Sequence, residues 1–172
     1  MATKVTPTDR EKVMREGDFI VSKTDPKGII TYGNRIFIEF SGYAEEELLG
    51  APHSIIRHPD MPRAVFKLLW DTIQSGQECF AYVKNMAKDG SFYWVFTNVT
   101  PSYDQNGNIV GYFSVRRKPK ASGVEVASHV YKVMLDAEKK AGNNNPMQAS
   151  TKILLDILAE KGVSYEELVL AI

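Results

Sequence analysis

Two short β-rich runs open the pattern of this chain. In "DFIVSKTDPKGIITYGN" the runs Phe19-Ile20-Val21 and Ile29-Ile30-Thr31-Tyr32 flank Asp25-Pro26-Lys27-Gly28, whose proline and glycine predict a hairpin turn. The apolar spacing then becomes helical. Ile36, Phe37 and Phe40 fall on one helical face behind Asn34, a natural N-cap. "SGYAEEELLG" predicts a turn and a short acidic helix stopped by Gly50. Pro62 opens a longer amphipathic helix carrying Val65, Phe66, Leu69, Trp70 and Ile73, with Gly76 beyond its end. Three aromatic and β-branched runs follow, separated by Lys88-Asp89-Gly90 and by Asp104-Gln105-Asn106-Gly107-Asn108, the turn chemistry of antiparallel hairpins. This order predicts an α+β domain with one five-stranded antiparallel sheet and helices laid on one face.

Past residue 120 the composition shifts to a helical C-terminal extension, residues 120–172. Its first piece has helical spacing through Val126, Val130, Val133 and Ala137; "NNNP" breaks it. A second piece carries Ile153, Leu154, Ile157 and Leu158, and Ser164 with Glu167 has capping-box spacing for a third. Residues 17–119 form the main domain, and the polar lead, residues 1–16, is read as a short helical cap. In the strand after Lys88-Asp89-Gly90, Tyr93, Val95, Thr97 and Val99 share one face. Phe92, Trp94, Phe96 and Asn98 share the other. Three large aromatics on one strand face need a cover, which the extension supplies within one chain or across a homodimer.

Charge narrows the partners. Twenty-one basic and twenty-one acidic residues cancel, and no basic run stands out, which argues against nucleic acid and acidic membrane surfaces. The chain has 172 residues, 44% of them hydrophobic, enough to bury a real core. Its apolar runs are too short to span a bilayer, and the N-terminus lacks an apolar signal core, so a soluble cytoplasmic protein is expected. The lone Cys79 suits a reducing compartment and reads as a packed small hydrophobe. No Ser-His-Asp arrangement, phosphate loop, kinase motif or metal-ligand spacing is evident, so no enzyme is expected.

The candidate chemistry sits in "GAPHSIIRHPDMPRAVFKLLW", where Arg57, His58 and Asp60 lie between an apolar pair and a helix, with Pro59 and Pro62 bracketing the acid. Arginine and histidine offer hydrogen-bond donors to phosphate or carbonyl oxygens. The structural alternatives are plain: His58 as a helix or backbone cap, Asp60 as a favourable charge near a helix N-terminus, Asn34 as an N-cap only.

Beyond these local patterns, "TDPKGIITYGNRIFIEFSGYAEEELLGAPHSIIRHPDMPRAVFKLLW", "VKNMAKDGSFYWVFTNVTP" and "GYFSVR" together resemble a PAS domain. Within that family the chain is most similar to the flavin-binding domain of bacterial aerotaxis receptors, for which "RHPDMP" is the discriminating stretch. The resemblance covers about residues 18–118. It implies non-covalent FAD between sheet and helices, with flavin redox state relayed to a signalling partner. It also implies cofactor contacts at Asn34, Arg57, His58, Asp60, Trp70, Asn85, Tyr93 and Arg116, with the Tyr93 face of its strand turned inward. Asp60 would orient His58 or accept from the ribose. Asn85 is similar in position to a flavin-bonding asparagine of light-oxygen-voltage domains, and Arg116 to their glutamine, with a solvated arginine as the rival reading. Those domains also need a cysteine after Gly50; His53 stands there, which excludes photoadduct chemistry at that site. Aerotaxis-type domains usually carry tryptophan where this chain has Cys79-Phe80. Two alternatives stay open: a haem sensor with His53 or His58 as axial ligand, or a cofactor-free interaction module.

Overall fold

The computed structural model describes residues 5–172. Strands β1 (Phe19–Thr24), β2 (Ile30–Gly33), β3 (Cys79–Met86), β4 (Phe92–Tyr103) and β5 (Ile109–Arg117) form one antiparallel sheet in the order β2-β1-β5-β4-β3. The β1–β2 turn closes as its residues require: Asp25 Oδ1 accepts from the backbone N–H groups of Lys27 at 2.8 Å and Ile29 at 2.9 Å. Gly28 takes a φ of +82°, and a Cβ there would lie 2.9 Å from the Trp70 ring, so glycine lets the turn lie over that indole.

Helices α1 (Arg35–Ser41), α2 (Glu45–Leu48) and α3 (Arg63–Gln74), with a 3-10 turn at His53–Ile56, cover the inner face. The core between them and the sheet buries Ile20, Phe37, Leu48, Val65, Tyr93 and Val95. Each such side chain contributes about 1.5–3 kcal/mol of transfer free energy. Alternation along β4 sorts as the sequence predicts: Tyr93, Val95, Thr97 and Val99 are buried on the inner side, with Tyr93 edge-on to Phe40 of α1 at 5.6 Å.

Helices α4 (Ala121–Ala141) and α6 (Tyr165–Ala171) pack against β3 on the outer side, while α5 (Pro146–Lys161) packs on α4 and meets α3. The extension therefore wraps past the β3 edge and covers the aromatic stripe within one chain. Trp94 stacks on Tyr131 at 6.3 Å, and Phe96 meets Phe80 at 5.9 Å and Tyr82 at 5.1 Å. The Tyr131 hydroxyl donates to the Tyr82 carbonyl at 2.6 Å, occupying a backbone acceptor of the edge strand. Ser164 and Glu167 form the expected capping box, at 3.2 and 2.7 Å.

Two expectations are corrected. The described part of the lead, residues 5–16, is extended rather than helical: Lys12 N donates to Phe92 O at 2.7 Å, Phe92 N donates to Arg10 O at 2.9 Å, and Glu11 bridges Phe92 in parallel. Pairing with a β4 terminus outweighs the weak local helix preference of a short polar segment. The face α4 turns inward is Gly123, Ala127, Tyr131 and Met134, and Val133 is exposed. Close approach decides this, because Gly123 sits directly on the Tyr82 ring and only small residues let the helix that near. Among the described residues no helix is long and apolar enough to cross a membrane.

Candidate functional site

A cavity of about 380 Å³ opens between the inner sheet face and the segment from His53 to Ile73. Four strands build its floor from inward positions: Ser22 and Thr24 of β1, Val83 and Asn85 of β3, Thr97 of β4 and Ser114 of β5. Polar side chains at strand positions that should pack apolar are the mark of a wall meant to meet a ligand. Asn85 is 4% exposed and faces the cavity from β3. On the helix side, Trp70 stands edge to Tyr112 at 5.5 Å, and Phe66 and Leu69 complete an apolar flank.

Charge distinguishes the lining. Lys27, Arg57 and Arg116 border the cavity, and among the described residues no Asp or Glu does. Arg116 is 2% exposed; its guanidinium donates to Ser22 Oγ, lies 3.3 Å from His53 Nε2 and sits 4.7 Å above the Phe37 ring. Its Nε has no partner among the described residues, nor do Thr24 Oγ1 and the Tyr93 hydroxyl. Burial lowers the guanidinium to about 10. Burial, and then the neighbouring Arg116 charge, drive His53 down to about 3, so its imidazole is neutral. A buried guanidinium without a carboxylate is unusual, because burying an uncompensated charge costs several kcal/mol. Such a group is a ready receptor for negative charge.

The sequence-predicted residues divide. Arg57, Trp70, Asn85 and Arg116 converge on the cavity. Arg57 bridges Asn85 through the backbone and lays its guanidinium 4.3 Å over Phe66. Asn34, His58, Asp60 and Tyr93 do not line it. Asn34 is spent as a cap: its Oδ1 accepts from Phe37 N at 3.0 Å and Val21 N at 3.1 Å, and its Nδ2 donates to Phe19 O at 2.8 Å. His58, 3% exposed, turns the other way, with its ring 6.2 Å from Phe92 and its Nδ1 accepting from Asp60 N at 3.0 Å. Burial and Lys84 hold its pKa below the ordinary value. Asp60 is exposed and pairs with Lys84 at 2.8 Å. Tyr93 is fully buried against Phe40.

The "RHPDMP" corner is thus a rigid joint that sends Arg57 inward and pins His58 and Asp60 outside. Neither haem candidate suits axial ligation: His58 lies outside the cavity, and His53 Nε2 is held by Ser22 Oγ at 3.1 Å beside a cation. Cys79 is buried away from the cavity, with burial raising its thiol to about 11. Sequence reasoning missed Ser22, Lys27 and Ser114. The inward parity of Ser22 and Ser114 was readable once each strand's register was known.

Comparison with known proteins agrees with this architecture. A family model described as the PAS fold matches residues 30–116. The aerotaxis receptor of Escherichia coli (strain K12) is 35% identical over 127 residues, covering 74% of this chain and 25% of the receptor. A nitrogen fixation regulatory protein of Klebsiella pneumoniae is 27% identical over 105 residues, covering 61% of this chain and 21% of that protein. The chain thus spans a quarter or less of these relatives. Among solved structures, the light-state structure of the blue-light photoreceptor Aureochrome1 LOV superposes with a TM-score of 0.56 at 27% identity, covering 66% of this chain and 90% of that one. With the five-strand order, the helices over the inner face and the cavity between them, these matches show that the chain belongs to the PAS fold family.

Proposed function

We propose that this PAS domain is a redox sensor that binds FAD non-covalently in the cavity and relays the flavin's state to a signalling protein. The observation that carries the reading is Arg116, a buried cation without a carboxylate at a cavity whose lining, among the described residues, has no acid. Bound FAD would supply reversible electron transfer and a ring that gains negative charge on reduction. Arg116 would favour that negative charge, and the Asn85 amide would meet the polar edge of the ring. Trp70 and Phe66 would exclude water from its apolar faces, while Lys27 and Arg57 would meet the phosphates. FAD rather than FMN follows from the resemblance to aerotaxis receptors. Residues 17–119 act as the sensory unit and residues 120–172 as its output element. The chain works as a homodimer in the reducing cytoplasm, in keeping with one free, buried thiol.

The absorption spectrum of the purified full chain tests this, with released pigment identified by mass. Flavin bands with FAD in the extract are expected. A Soret band, or a preparation that stays colourless after incubation with FAD, would overturn the reading.

A further inference from the structure

Helix α3 forms the cavity's apolar flank, yet the chain before it provides no cap. Pro62 precedes its first residue and has no side-chain hydrogen bond to offer. The first-turn N–H of Arg63 instead donates to Glu138 Oε1 at 2.7 Å, a carboxylate 75 residues further on, in α4. The same oxygen accepts from the hydroxyl of Ser150 in α5 at 2.7 Å, and Ser150 is 0% exposed. One carboxylate therefore ties three helices at a single point. An acid at a helix N-terminus both satisfies an otherwise unpaired N–H and complements the helix dipole. It also sits close enough to Arg57 to act on that guanidinium by charge.

The geometry points to Glu138 as a positioning residue for the cavity: the extension, through Glu138 and Ser150, sets the N-terminal end of α3 and with it Phe66 and the Arg57 guanidinium above it. Docking of the α4–α5 pair and occupation of the cavity are then thermodynamically coupled. Whatever the cavity gains from a well-placed wall, an occupant returns as tighter docking of the extension, by reciprocity of linkage. The coupling runs around the β3 edge, where α5 meets α3, and does not pass through the sheet. It rests on the flavin reading only for the choice of ligand.

The test uses the full chain with Glu138→Ala, Glu138→Gln and Ser150→Ala. Loss of a helix cap is worth about a fivefold change in an equilibrium that depends on it. Glu138→Ala should weaken FAD binding by roughly that factor and speed hydrogen exchange at the first-turn amides of α3 and in α5. Glu138→Gln keeps a carbonyl oxygen for both donors and should restore most of the affinity. Ser150→Ala should loosen α5 more than α3. In wild type, added FAD should slow exchange in α5, and this slowing should vanish in Glu138→Ala. If the chain proves not to bind FAD, the exchange of α3 without ligand still decides the positioning role. Unchanged first-turn exchange in a folded Glu138→Ala chain, or wild-type FAD affinity in that variant, would overturn the proposal.

Discussion

Replacing Arg116 by methionine separates a ligand receptor from a structural core residue, because the two roles predict opposite signs. Burial brings the guanidinium from its ordinary 12.5 down to about 10. At neutral pH, below both values, that depression costs the flavin-free fold about 3 kcal/mol, and the cost fades only as pH rises from 10 toward 12.5. Methionine has a similar length and no charge to bury. Ser22 Oγ and His53 Nε2 already bond to each other at 3.1 Å, so neither loses its last partner. Allowing for the lost donations, the flavin-free variant should be about 1–3 kcal/mol more stable, with the midpoint rising about 2–4 °C for each kcal/mol. FAD affinity should fall in the same variant, since a charge-assisted hydrogen bond is worth about 1.5–3 kcal/mol, roughly ten- to a hundredfold. Thermal melts of flavin-free protein at pH 7 and an FAD titration read the two signs. A variant several kcal/mol less stable, with wild-type affinity, would show that Arg116 belongs to the core through its contact with Phe37.

The other expectations concern separate parts of the molecule. With His53 held near 3, stability present above its ordinary 6.5 is lost as pH falls, amounting to about 2 kcal/mol at pH 5. Urea melts from pH 7.5 to 5 should show this slope, flattened in His53→Gln apart from a smaller part due to His58; an unchanged slope would refute the assignment. Gly123→Val drives a side chain into the Tyr82 ring, where even a Cβ would lie 2.2 Å from it. It should cost about 1–3 kcal/mol and make Trp94 more accessible to acrylamide, and quenching equal to wild type would contradict the close-packed α4 face. Asn34→Ala should cost about 1–3 kcal/mol in urea melts and leave FAD affinity unchanged, whereas a selective loss of affinity would make it a ligand group.

Much of the fold was legible because local chemistry and global pairing agree. Asp25-Pro26-Lys27-Gly28, Lys88-Asp89-Gly90 and the Asp104–Asn108 turn can each do little but reverse a strand, and the period of two along residues 92–99 sorts them onto two faces, of which the resemblance turned the Tyr93 face inward. Part of the site was legible through the family resemblance, which pointed to Asn85 and Arg116; the strand register then sets both on the inner face. The rest depends on contacts that no local pattern records. His58 and Arg57 are adjacent, and only the path of the corner between the 3-10 turn and α3 decides which of them enters the cavity. The inner face of α4 follows from close approach at Gly123 rather than from the more hydrophobic valines. The cap that Glu138 provides to Arg63 joins residues 75 positions apart.

The central claim is that a flavin occupies this cavity and no other surface. An equilibrium titration of FAD into the flavin-free full chain, followed by quenching of flavin fluorescence, tests it against Ser114→Phe, which fills the cavity from β5 without touching its charges. The account predicts saturable one-to-one binding by the wild-type chain and its loss in a Ser114→Phe chain of normal circular dichroism. Equal binding by both, or none by the wild type, would contradict it.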